Sequence, residues 1–183
     1  MQTYRLVPAL LLLFALAACS GIAQPPAPTT QKQIVSLEGL DEKVEVELPG
    51  DWNANPSKHP FDLQFLANDQ AMNTGVFLYD RESLGPETTI ESALDDQVKD
   101  MASKRENFKE IRPPKFKELD KARLVSTSYS GERDGALNHY RFTAIEFPDH
   151  PKVLLVVLQV CLPERWDDGL PVLEKITDSF AVL

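Results

Sequence analysis

The side chains able to do chemistry are few and far apart. Of the three histidines, His59 lies in a proline-bounded stretch, His139 follows an Asp134-Gly135 turn signal, and His150 sits beside Asp149. A metal site needs several such ligands at one point, and only Asp149 and His150 are even adjacent. Imidazoles exposed in turns are the plainer reading. Ser130 and His139 would fall on the two arms of one hairpin. They form the least unfavourable pair for nucleophilic catalysis, which requires serine, base and carboxylate to converge from distant positions. Glu164, Asp167 and Asp168 surround Trp166. They lack the ligand spacing of a calcium loop and suit a negatively charged helix start instead. No Gly-rich phosphate loop, Gly-x-Ser-x-Gly, His-Glu-x-x-His or Cys-x-x-Cys occurs. No catalytic residue, metal or cofactor is therefore expected.

Two tryptophans offer a lead of another kind. Trp52 and Trp166 stand at element boundaries, where an indole either closes the core or anchors a partner. Core closure is the commoner outcome. An exposed indole would mark a binding face, and the loop Asn53 to Pro60, with His59, would be its rim. The candidate binding residues are thus Trp52, His59 and Trp166.

The two cysteines have different surroundings. Cys161 ends a strongly apolar run with no adjacent base, which describes a buried packing thiol. Cys19 follows a run from Leu6 to Ala18 that is apolar except for Pro8, with Arg5 the only charge before it. A bilayer span needs about 20 apolar residues, so this shorter run reads as a secretory signal peptide. Leu16-Ala17-Ala18-Cys19 resembles the lipobox of bacterial lipoproteins. That resemblance implies diacylglycerol on the Cys19 sulfur, cleavage before Cys19, acylation of the new amino terminus, and a cell-envelope location. Ser20 in place of Asp resembles the outer-membrane pattern of Gram-negative lipoproteins. The competing reading is an ordinary signal peptide cut after an Ala-x-Ala-like site.

The stretch after the lipobox completes the leader's logic. Residues 19–33 are rich in Pro, Thr and Gln and read as an extended tether reaching on the order of 40 Å at roughly 3 Å per residue. With Cys19 lipidated, Cys161 has no disulfide partner. The formal charge is -9, and loss of residues 1–18 removes only Arg5, leaving -10. So acidic a chain has no electrostatic footprint for nucleic acid or anionic lipid. The membrane is reached through acylated Cys19. Residues 34–183 fit one domain with a real core.

Periodicity supplies the elements. Lys43 to Leu48 alternates strictly and predicts a half-buried strand, ended by Pro49-Gly50-Asp51. Trp52 to Pro60 reads as a loop, followed by strands through Phe61, Leu63 and Phe65 and over Thr74 to Asp80. Thr88 to Glu91 has capping-box spacing ahead of a helical stripe of Ile90, Leu94, Val98, Met101, Ala102 and Phe108. Pro113-Pro114 forbids helix, and strands are expected near Lys115 to Leu119 and over Arg123 to Gly131. Asp134-Gly135 signals a hairpin into Leu137 to Phe147, whose phase shift between Phe142 and Ile145 predicts a bulge. Val153 to Cys161 is apolar on both faces and predicts a central strand covered on both sides. Arg165 to Phe180 supplies a second helix. Together these predict an α+β fold, an α/β/α sandwich whose mostly antiparallel sheet is flanked by helices on both faces.

This order, with "LPGDW", "TTIESALDDQVKDM", "VLLVVLQV" and "ITDSF" at its landmarks, resembles the PsbP-like family and its bacterial DcrB-like lipoprotein branch. The resemblance spans nearly the whole mature chain. It implies an accessory or chaperone-like factor that binds an envelope protein, with few catalytic residues to carry over. Two other classes compete: an envelope hydrolase with scattered polar residues, and an immunity-type inhibitor whose acidic surface plugs a basic toxin site.

Overall fold

The computed structural model describes residues 29–36, 40–55, 61–85 and 87–183. Its strands are β1 (Thr30–Ser36), β2 (Lys43–Pro49), β3 (Trp52–Asn55), β4 (Leu63–Ala67), β5 (Met72–Asp80), β6 (Glu106–Glu118), β7 (Arg123–Arg133), β8 (Ala136–Glu146), β9 (Val153–Cys161) and β10 (Ala181–Val182). The helices are α1 (Arg81–Leu84), α2 (Ile90–Ala102) and α3 (Trp166–Asp178), the last preceded by a 3₁₀ turn over Pro163–Arg165.

The apolar run of β9 explains the architecture. Its residues alternate between two cores, so both faces of the strand must be covered. Val153, Leu155, Val157 and Cys161 enter one core with α3, and Leu154, Val156 and Leu158 enter the other with α2. β9 lies fourth in a seven-stranded sheet of order β3-β4-β5-β9-β8-β7-β6. All strand pairs are antiparallel. α2 packs Ile90 and Leu94 on one face, and α3 packs Leu170, Leu173 and Ile176 on the other. The expected α/β/α sandwich is the observed fold.

A second sheet was not foreseen. β2 has the predicted alternation, but it joins the three-stranded sheet β1-β2-β10, whose Val35, Val44, Val46 and Leu48 share the α3-side core. Residues 30–33, read as tether, are part of β1 and pair with β2 from Thr30↔Pro49 onward. Their polar side chains are compatible with an edge strand because only the backbone must pair.

Several boundaries move for identifiable reasons. Trp52–Asn55, read as loop, is the short edge strand β3 paired with β4, while 56–60, including His59, lie outside the described residues. The helix cap is Thr89, which exchanges hydrogen bonds with Ser92 rather than using Thr88 and Glu91. α2 stops at Ala102, and Phe108 belongs to β6, where it stacks on Tyr129 with centroids 4.7 Å apart. The strand expected near Lys115 starts at Glu106 and contains Pro113-Pro114. Prolines are tolerated there because β6 is an edge strand. The bulge expected in β8 is absent, since β8 keeps unbroken register with β7 and β9. Its phase shift reflects burial on both faces, and the irregularities fall instead between β6 and β7.

The hairpin signal was accurate. Asp134 and Gly135 both take positive φ, 53° and 77°, as a type I′ turn requires. A Cβ on Gly135 would meet nothing within 4 Å, so substitution there tests backbone strain alone. Gly135→Ala is expected to lower unfolding free energy by about 1 kcal/mol in urea denaturation; an unchanged midpoint would contradict the turn geometry.

Candidate functional site

β8 carries a charge into the interior. Arg141, in register with Gln159 of β9, is only 6% exposed and points to the α3 side of the sheet. A cation buried this far must be solvated by polar groups of the protein. Its Nη1 donates to Thr143 Oγ1 at 2.7 Å, Gln159 Oε1 at 2.9 Å and Thr177 Oγ1 at 3.1 Å. Its Nη2 donates to Ser126 Oγ at 3.0 Å. Gln159 Nε2 donates in turn to the Leu173 carbonyl of α3 at 2.9 Å, which fixes its amide with oxygen toward Arg141. Burial pushes the Arg141 pKa down to about 10, opposed by the more distant charges of Glu174 and Asp178. The guanidinium therefore stays charged at neutral pH.

Arg141 lines the floor of a cleft of about 640 Å³ between β6, β7 and α3. Leu124, Leu170, Pro113 and Pro114 give it apolar wall, and Arg112, Lys115 and Lys117 bring positive charge from β6. Glu174 and Asp178 of α3 face them, with Lys117 Nζ 2.6 Å from Asp178 Oδ2.

The residues singled out from sequence fall elsewhere. Trp52 is 2% exposed; it belongs to the α3-side core and borders a second cleft, of about 600 Å³, with Leu48, Met72, Val172 and Ile176. Trp166 is 6% exposed, with the His139 ring edge-on at 5.1 Å and the Arg112 guanidinium 6.0 Å from its centroid. Both indoles are enclosed. Ser130 and His139 are cross-strand neighbours, as expected from the hairpin. No hydrogen bond joins them, because Ser130 Oγ and His139 Nδ1 are both buried without a partner. Cys161 is wholly buried. Among the described residues, no cluster of His, Cys, Asp or Glu could hold a metal, and no helix is long and apolar enough to cross a membrane.

Arg141 itself was missed in the sequence. The usable signal was Gln159, the one polar residue inside Val153 to Cys161. A polar group on a doubly covered strand needs an internal partner, and antiparallel register supplies one from β8.

No protein-family model matches the chain, and no curated protein matches it by sequence. Solved structures do match. Cyanobacterial PsbP from Synechocystis sp. PCC 6803 superposes with a TM-score of 0.61 at 17% identity, over 92% of this chain and 99% of its own. The fold is PsbP-like. LpqN of Mycobacterium tuberculosis, described as involved in cell envelope biogenesis, gives 0.61 at 12% identity over 84% and 91%. The Ran-binding protein Mog1p of Saccharomyces cerevisiae gives 0.57 at 10% over 85% and 96%. At these identities the PsbP-like likeness is one of fold.

Two local tests follow from burial. Burial pushes the Cys161 pKa up to about 11, so a Cys19→Ala chain, with Cys161 its sole thiol, should resist a disulfide reagent at about pH 8 until denatured. Rapid native labelling would contradict the packing. Burial also lowers the His139 pKa below its ordinary 6.5, partly offset by Asp167. The unfolded chain then binds the proton more readily, so the His139 contribution to stability is present above about pH 6.5 and is lost as pH falls through the lowered folded value. Urea midpoints should drop between about pH 7.5 and pH 5.5, and drop less in His139→Gln. Equal drops would contradict the shift.

Proposed function

We propose that the chain is a lipid-anchored cell-envelope accessory protein of the DcrB-like kind, non-catalytic, that binds another protein through its PsbP-like domain. The observation carrying this reading is the cleft beneath β6. Its lining combines fixed charge, hydroxyls and apolar wall, which are recognition groups. In this reading the acyl chains on Cys19 hold the protein at the outer membrane, facing the periplasm. Two or three chains anchor firmly where one would be marginal. The residues between Cys19 and Thr30 act as the leash, and the domain presents the cleft to an envelope partner. Nucleic acid is not a partner in this account, given the acidic charge. The description of LpqN as involved in cell envelope biogenesis and of Mog1p as Ran-binding supports the same reading.

The anchor and the face are tested separately. Cys19→Ala should abolish lipid labelling and move the protein from the membrane to a soluble fraction; retention at the membrane would refute the anchor. A photo-crosslinker at Lys115, on the cleft, should capture one envelope protein in cells, while one at exposed Glu91 on α2 should not. Identical capture from both positions would refute the cleft as the binding face.

A further inference from the structure

The Arg141 site has donors left over. A guanidinium has five N–H groups. Nη1 spends its two on three acceptors, Nη2 spends one on Ser126, and Nε–H with the second Nη2–H has no acceptor among the described residues. No ion pair formed among the described residues includes Arg141. Of the two carboxylates on the cleft, Asp178 is engaged by Lys117, and Glu174 acts on Arg141 only through space.

The surroundings fit an anion better than they fit the fold's own needs. An apolar side chain at this position would fill the layer without the desolvation that a buried charge incurs. The protein is acidic as a whole, yet Arg112 to Lys117 contains three cations and no acid. With Arg141, four cations and two acids line the cleft. Leu124, Leu170 and the two prolines provide an apolar wall beside this charge, and the volume lies in the range of small-ligand sites, about 300–1,000 Å³.

We propose that the cleft between β6, β7 and α3 binds an oxyanion carried on an apolar body, the head group resting on the free Nε–H and Nη2–H of Arg141. The fork geometry of arginine suits carboxylate and phosphate alike, with two parallel hydrogen bonds to two oxygens. Arg112 and Lys115 draw the anion in, and the apolar wall takes the body. The inference deepens the binding reading given above, since it concerns the same cleft, but it depends on neither the anchor nor a captured partner.

The test is a titration of the full chain with benzoate, phenyl phosphate and neutral benzamide, three head groups on one apolar body. The readout is the Arg141 Nε–H resonance in nitrogen-15 correlation spectra, together with the backbone amides of the cleft-lining Leu124, Thr127 and Ser128, which remain to report binding in the Arg141 variant. Saturable shifts with benzoate or phenyl phosphate, and none with benzamide, support the proposal, and the tighter of the two names the head group. Arg141→Gln keeps an amide N–H for the surrounding hydroxyls and should weaken that binding by about tenfold or more. Lys115→Glu, at the exposed rim, should weaken it severalfold and leaves the floor intact, so it decides the matter if Arg141→Gln fails to fold. Equal response to benzamide, no saturable response to either anion, or affinity unchanged in both variants would overturn the proposal. Failed capture in cells combined with saturable anion binding would separate loss of the protein-partner reading from loss of this one.

Discussion

A guanidinium withdrawn from water with no carboxylate against it has to be solvated by the protein that buries it. Around Arg141 this is done by three hydroxyls and one amide drawn from four elements: Ser126 of β7, Thr143 of β8, Gln159 of β9 and Thr177 of α3. Each must be in place for the charge to be tolerated, so the network ties the register of three adjacent strands to the position of the last helix. Gln159 extends the tie to the α3 backbone through the Leu173 carbonyl. The cleft exists where this polar layer replaces the apolar packing found farther along the same strands.

The surrounding architecture supplies the rigidity this arrangement needs. β9 is covered by α2 on one face and by α3 with the small sheet on the other. Its neighbours β5 and β8 pair with it without register breaks. Irregularity is confined to the β6–β7 edge, where Pro113-Pro114 and the register shifts lie. That edge also carries three of the four cations of the cleft, Arg112, Lys115 and Lys117. A rigid floor beneath an irregular, charged wall is a sound arrangement for recognition, because the binding groups on the floor are fixed before a ligand arrives.

Burial on two faces was plain in the sequence of β9, and alternation was plain in β2, so the layered fold could be read ahead of the structure. The hairpin at Asp134-Gly135 was equally legible, since its turn type needs positive φ at both residues. The second sheet was hidden because the first residues of β1, Thr30 to Gln33, carry the polar composition of a linker, and Val35 alone of this strand is buried in the core. The cleft was hidden for a related reason. Arg141 and Gln159 are 18 residues apart, and a lone Arg in a strand reads as a solvent-facing residue until the partner strand's register is known. Trp52 and Trp166 stand at element boundaries, and both are enclosed packing groups, the commoner of the two outcomes for such an indole.

Arg141 is held by neutral groups that join the sheet to α3. The most direct test is a double-mutant cycle between Arg141→Gln and Thr177→Val, read by urea denaturation. A charge-assisted hydrogen bond of the observed geometry predicts a coupling energy of about 1 kcal/mol or more between the two positions. Effects that add to within about 0.3 kcal/mol would contradict the account and separate the buried charge from the helix it is said to hold.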